Sequence, residues 1–533
     1  MKFDPISLEV IWRRLIGLVD EAAATLVRTA FSTLVKESND FSCVLTDDRG
    51  ESLVQCTASI PSFIGTLPIT VRHFLREFPP EQLSPGDVLV TNDIWYGTGH
   101  LPDVNVAKPI FHRGRFVGFA ASTAHLPDIG GKIRSPDPQE VYEEGLQIPI
   151  MKLYRAGEAN ETLIRLIRYN VRVPDLVMGD IYAQVTANGL AEGRLAALLD
   201  EYGLEDLRAL TAEIQGRSEG AMRGALRAVP DGVYTSALET DGLAEPIRIR
   251  ARLEKKGDAL VIDYEGSSPQ VDRALNVASN YTYAYSVYPI KCALCPEVPN
   301  NEGCFRPIEV RAPEGSILNP RRPAPGGGRM LVGHYLPAAV FAALAPVMPE
   351  RVAAASGSPL WCVNYSGPDK RGERTAGLFF QNGGTGATAR REGHACLSFP
   401  SNVSNTPIEA LERITPFTFL EKTILRDSGG EGRRRGGCGQ RIVMRNDSPG
   451  KVTVSFMAER TRRPAPGLYG GGEGAPGQVL INGEAVNPKE TTTLQAGDIL
   501  TLITPGGGGY GPPEGEAEGP PGGPPEGAEA GAP

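Results

Sequence analysis

His100-Leu101-Pro102-Asp103 and His125-Leu126-Pro127-Asp128 are two copies of one tetrapeptide, twenty-five residues apart. Between them lie two apolar runs, Val104 to Phe111 and Phe116 to Ala121, joined by His112-Arg113-Gly114-Arg115. That pattern predicts strand, turn, strand. Each tetrapeptide then stands at a strand end, where proline fixes the backbone and removes a donor. A hairpin brings its free ends together, and with them two of the six histidines in the chain. Imidazole nitrogens beside carboxylate oxygens suit Zn, Mn, Fe or Ni. The pair reads as a metal site: His100 and His125, Asp103 or Asp128 as third ligand, and Glu37 or Asp40 as fourth. Two imidazoles with two carboxylates favour Mn or Fe over a closed structural zinc. Two ordinary hydrogen-bonded histidines are the competing reading, and the identical surroundings of the copies weigh against it.

Working outward, 533 residues are too many for one core, so roughly two to four domains are expected. The fold class is α+β and multidomain, with mixed sheets, a long N-terminal helix and a small C-terminal β domain. Residues 4 to 35 carry apolar residues at helical spacing, with Asp4 to cap and Pro5 at the first position. Lys36-Glu37-Ser38-Asn39-Asp40 then leads into a strand, so an acidic cluster marks a helix-to-strand junction. A short helix is expected near Val71 to Leu75, helices dominate from Asn160 to Ala228, and Pro230-Asp231-Gly232 closes that region. The expected domains are 1–230 (α/β, with the metal site), 231–440 (α+β) and 441–512 (β). Residues 513–533 form a Pro/Gly/Glu tail of low complexity, for which disorder is expected.

Composition excludes several classes. The net charge is −9, and Glu514, Glu516, Glu518, Glu526 and Glu529 lie in the tail, so the body has no basic nucleic-acid footprint. No run of about eighteen apolar residues exists, so no membrane span is expected. Met1-Lys2-Phe3-Asp4-Pro5 has no signal-peptide pattern, and most cysteines sit in apolar runs, as Cys43, Cys56 and Cys362 do. A reduced, cytoplasmic protein is the expectation. With 63 glycines and 45 prolines the chain is rich in tight turns.

Other constellations read as structure. Cys292-Ala293-Leu294-Cys295 has zinc-knuckle spacing with Cys304 nearby, yet it has no fourth ligand and reads as buried cysteines on a helix. The glycine loops at 383–387, 427–439 and 505–511 lack the phosphate-loop pattern and read as loops or close backbone packing. Arg433 to Arg435 beside Asp427 and Glu431 reads as a solvated or interface loop. No nucleophile elbow is present, so metal-assisted chemistry leads.

Several motifs together carry a resemblance. They are Lys36-Glu37-Ser38-Asn39-Asp40-Phe41-Ser42, Asn92-Asp93 through the first tetrapeptide, and the second tetrapeptide. Pro299-Asn300-Asn301-Glu302-Gly303-Cys304-Phe305-Arg306-Pro307, Asp427 to Gly439, and Pro505 to Gly511 complete the set. In this order, over roughly residues 4 to 513, the chain resembles the hydantoinase B/oxoprolinase family, to which acetone carboxylase α subunits also belong. The resemblance implies a B subunit of an ATP-dependent hydantoinase or 5-oxoprolinase. It further implies that an A-type ATPase partner activates a cyclic amide and that the B subunit acts on it at a metal centre in a hetero-oligomer. It implies manganese held by Glu37, His100, Asp103 and His125, with Fe, Zn or Mg able to use the same ligands. Asp40 stays an alternative to Glu37, and Asp128 becomes a partner of the ligands or a base. Catalytic roles are therefore expected for Asp128 and Asp40. A ketone carboxylase subunit is the second reading, against which the modest length of this chain weighs. A scaffold for the ATPase is the third.

Overall fold

Asp4 caps the first helix by accepting from Ile6 N and Ser7 N at 3.1 and 3.0 Å, and Pro5 opens it. This helix, α1 (Pro5–Thr29), buries Leu8, Ile11, Leu15, Val19 and Leu26 along one face. The computed structural model describes residues 3–513, so the tail from Glu514 on lies outside the described residues. The apolar spacing predicts helix to residue 35, but α1 stops at Thr29 and Ala30 is extended. The cause lies far along the chain. Asp180 Oδ1 accepts from Phe31 N at 2.7 Å and Ser32 N at 3.0 Å, turning the backbone out of the helix. A separate short helix follows, α2 (Thr33–Lys36), with Ser32 as its cap.

The described residues cluster into two units. The first comprises residues up to Gly131 with Tyr142–Leu226 and Ala278–Ile308. Its centre is a seven-stranded sheet, order β2-β1-β5-β4-β3-β6-β7. The strands are β1 (Phe41–Asp47), β2 (Ser52–Gln55), β3 (Val88–Thr91), β4 (Asp103–His112), β5 (Arg115–His125), β6 (Met151–Arg155) and β7 (Glu158–Ala159). The expected hairpin is β4–β5, and β1 pairs antiparallel with its second strand. Side chains alternate across these strands. Cys43, Leu45, Ala120 and Ala124 face one core, shared with α1 and with Ala183 and Ala187 of a long helix. Val44, Phe119 and Ala121 face another, shared with Leu67, Val71 and Phe74. The helices are α3 (Pro61–Glu77), α4 (Glu161–Asn170), α5 (Pro174–Glu201), α6 (Arg208–Arg227), α7 (Ser279–Leu294) and α8 (Glu302–Phe305). Packed helices thus cover both faces of the sheet's centre, and each fully buried Leu or Phe there stabilises by about 1.5–3 kcal/mol.

The second unit comprises Lys132–Val141, Arg227–Val277 and residues from Glu309 on. Hairpin Arg248–Lys256/Ala259–Asp263 belongs to a four-stranded sheet. Two further sheets share one core: Trp361, Val363, Tyr365 and Phe379 of one meet Phe417, Ile442, Met444 and Leu502 of the other. Beside them runs a bundle of extended glycine segments held mainly by backbone hydrogen bonds, with Ser428 Oγ accepting from Gly439 N at 2.8 Å and Ser356 Oγ from Gly386 N at 3.2 Å. Gly384 N donates to Pro505 O (3.0 Å), Gly430 N to Gly507 O (2.8 Å), Gly507 N to Gly437 O (2.9 Å) and Gly437 N to Thr385 O (2.8 Å). A Cβ on Gly506 would stand 1.7 Å from Ser428 O, and one on Gly384 1.8 Å from Gly437 O. Absence of side chains lets the backbones approach and satisfy one another. The adjoining Arg435 pairs inside its own loop, with Asp427 at 3.2 Å and Glu431 at 3.7 Å.

Candidate metal centre

β4 begins at Asp103 and β5 ends at His125, and the two residues are direct cross-strand partners. Leu126 N donates to Pro102 O at 2.9 Å, so the pairing runs on between the two tetrapeptides. From the other side, His125 N donates to Asp40 O at 3.1 Å, just before β1. His100 comes from the loop between β3 and β4. Asn92, following β3, fixes that loop. Its Nδ2 donates to Leu101 O and Leu146 O, both at 2.9 Å, and its Oδ1 accepts from Ile148 N at 2.6 Å.

These constraints bring three side chains to one point. Asp103 Oδ1 lies 2.7 Å from His100 Nε2 and 2.9 Å from His125 Nδ1, with the ring centroids 4.9 Å apart. Thr98 Oγ1 donates to Asp103 Oδ2 at 2.5 Å. His100, Asp103 and His125 are at most 2 % exposed. Asp40 Oδ2 reaches within 3.8 Å of His125 Nδ1.

The donor set fits a divalent ion. One ligand atom from each of His100, Asp103 and His125 lies within 4.8 Å of the others, and among the described residues this is the one such group. An ion with bonds of about 2.1 Å holds adjacent ligands about 3 Å apart. The two short contacts of Asp103 are close to that spacing. With neutral imidazoles the trio carries one negative charge in a dry setting, which a cation offsets. Borderline nitrogens with a hard oxygen suit Mn, Fe or Zn.

The other expected residues separate. Glu37 caps α2, half-buried, and Asn39 turns the chain at φ 53° before Asp40; neither acid belongs to the group of three. Asp128 faces Arg172. Its Oδ1 accepts from the guanidinium at 2.6 Å and its Oδ2 from the Arg172 backbone N. The two tetrapeptides are therefore inequivalent: Asp103 sits between two imidazoles and Asp128 on an arginine. Cys292 is exposed while Cys295 and Cys304 are buried, and they form no ligating group among the described residues. The sequence assigned no role to Thr98, Asn92 or Arg172. The first two lie in the motif from Asn92 through the first tetrapeptide, and that motif was their signal; Arg172 gave none.

A family model for hydantoinase B/oxoprolinase matches residues 4–513. The chain belongs to this family. Among relatives, it is 33% identical to the caprolactamase subunit beta of Pseudomonas jessenii over 536 residues, 96% of this chain and 91% of that one. The solved structure of ATP-dependent caprolactamase from Pseudomonas jessenii superposes with a TM-score of 0.88 at 29% identity, covering 96% of this chain and 92% of that one. Acetone carboxylase shares the fold, with a TM-score of 0.86 at 19% identity over 95% of this chain and 76% of that one. As in those proteins, helices and several sheets build a multidomain α+β architecture. No helix among the described residues is long and apolar enough to cross a membrane.

Proposed function

We propose that the chain is the B-type subunit of an ATP-dependent cyclic-amide hydrolase of the hydantoinase/oxoprolinase kind, working in the cytoplasm with an A-type ATPase subunit. The observation that carries the reading is the buried His100–Asp103–His125 cluster in a family member whose relatives include caprolactamase. A cyclic amide is a poor electrophile with a poor leaving group, so it gains from activation before hydrolysis. The sequence has no phosphate-loop pattern, which suits a division in which the partner uses ATP.

His100 Nε2, His125 Nδ1 and Asp103 Oδ1 would hold a divalent ion, manganese first among the candidates, with Glu37 or Asp40 as the fourth ligand. Such an ion supplies Lewis acidity and acidifies water. Thr98 fixes the Asp103 carboxylate by holding its second oxygen. The burial of the cluster excludes bulk water and strengthens its electrostatics. Whichever of Glu37 and Asp40 is not a ligand would serve as the base, and Asp40 Oδ2 lies 3.8 Å from His125 Nδ1. Asp128, with both oxygens on Arg172, positions the loop after His125 rather than moving a proton.

The test is an assay of the chain with its A-type partner on hydantoins, 5-oxoproline and caprolactam, with and without ATP. ATP-dependent ring opening is expected. Product that instead requires bicarbonate and a ketone would establish the carboxylase reading and overturn this one. Full turnover in a His100→Ala, His125→Ala double variant would leave the chain as a scaffold.

A further inference from the structure

Away from the metal centre, α3 and α7 enclose a cavity of about 170 Å³. Ile64, Val287 and Phe305 give it apolar walls, and Lys291 and Cys292 line it as well. The lysine stands out. It is 6 % exposed, and its Nζ donates to the carbonyl of Cys295, one turn on. An ammonium carries three donors, and among the described residues no carboxylate stands within ion-pair distance of this one. A charge so buried is normally paired, because desolvation without a counter-charge is costly. Gly65 and Ala284 bring α3 and α7 together; a Cβ on Gly65 would stand 2.8 Å from that of Ala284. The space beyond this contact is therefore held open by rigid helices. Cys292 is exposed and lines the same cavity, which gives a ligand a way in.

We propose that this cavity binds a small monocarboxylate with an apolar chain of about four to six carbons, its carboxylate on Lys291 and its chain against Ile64, Val287 and Phe305. The size follows from volume: an apolar cavity of about 150 Å³ admits benzene. The charge follows from the ammonium. The site is separate from the metal centre. Asn280, at the other end of α7, donates to Gly97 O in the loop before His100, and eleven residues of helix put Lys291 about 16 Å from there. A ligand at Lys291 therefore sits on the helix whose far end touches the loop carrying His100.

The probe is pentanoate, with pentanamide as its neutral counterpart, titrated calorimetrically into the full chain. Pentanoate is expected to bind at one site per chain, with pentanamide at least tenfold weaker. Lys291→Met should weaken pentanoate at least tenfold and leave metal content unchanged. Cys292→Trp, a change at an exposed position, should block entry, and it tests the site even if the lysine variant fails to fold. Pentanoate should also slow alkylation of Cys292 by iodoacetamide in the wild type. Equal binding by pentanamide, binding unchanged in either variant, or no saturable binding at millimolar concentration would overturn the proposal. So would binding lost in His100→Ala, which would assign the carboxylate to the metal centre. The hydrolase reading stands or falls separately.

Discussion

The histidine hairpin and the glycine bundle reach precision by opposite means. In the hairpin, register decides everything: Asp103 opposite His125 places two side chains on one point, and a one-residue slip would turn them to opposite faces. The buried alternation of β4 and β5 on packed helices locks that register. In the bundle main chain does most of the work, with only hydroxyls such as those of Ser428 and Ser356 added to it. Gly384, Gly430, Gly437 and Gly507 meet partners through N–H and C=O groups alone. A side-chain site tolerates change in its surroundings as long as three groups stay in place. A backbone lattice tolerates none, because the first added carbon collides with main chain that cannot swing away.

The sharpest way to break this contrast is Gly506→Ala. Its Cβ would stand 1.7 Å from Ser428 O, so backbone must move and several inter-segment hydrogen bonds go with it. A loss above about 4 kcal/mol is expected, read as failure to give soluble folded protein. Gly483, at φ 86° with nothing within 4 Å, is the control, and its change to alanine should cost about 1 kcal/mol in a thermal melt. If the two variants melted alike, the bundle would be a loop and not a lattice.

Next in size is His125→Ala. It removes one nitrogen from the cluster while β5 keeps its pairing. Metal affinity should fall more than about 100-fold and turnover with it, since even outer partners of metal ligands cost about 10–100-fold. Elemental analysis of protein purified without chelator, beside a circular-dichroism spectrum, checks both halves. Retention of metal would remove the cluster from the mechanism.

A pair of single-atom changes separates the two acidic candidates. Of Glu37→Gln and Asp40→Asn, the change at the fourth ligand should lower metal content. The change at the base should keep the metal and lower kcat by about 10²–10⁴-fold with little change in KM. Loss of metal in both would make both ligands; loss of neither metal nor turnover would clear both from the site.

What could be read from the sequence follows the same divide. The hairpin was legible because its signals are local: two tetrapeptides, two apolar runs and a four-residue turn. Where tertiary contacts decided, reading failed. The period of α1 continues through Ala30 and Leu34, and nothing nearby announces that Asp180 will capture Phe31 N and Ser32 N and end the helix. Arg172 reaches Asp128 across forty-four residues for the same reason. The glycine loops were readable as close packing but not as a lattice, because their partners lie tens of residues apart and glycine reports only permission, never direction.

The smallest effect bears most directly on how the hairpin works. Thr98 Oγ1 lies 2.5 Å from Asp103 Oδ2, on the oxygen that does not face the histidines. Thr98→Val preserves shape and removes the hydroxyl. The buried carboxylate then keeps its imidazole contacts but loses the Thr98 hydrogen bond to its second oxygen, and a hydrogen bond to a charged group is worth about 1.5–3 kcal/mol. Metal affinity should drop about tenfold, measured by competition with a chromophoric chelator, and Thr98→Ser should restore most of it. If Thr98→Val bound metal as tightly as wild type, strand register alone would suffice to aim Asp103. The contrast with the bundle would then be sharper still, with two paired strands doing by themselves what the glycine segments need a whole lattice to do.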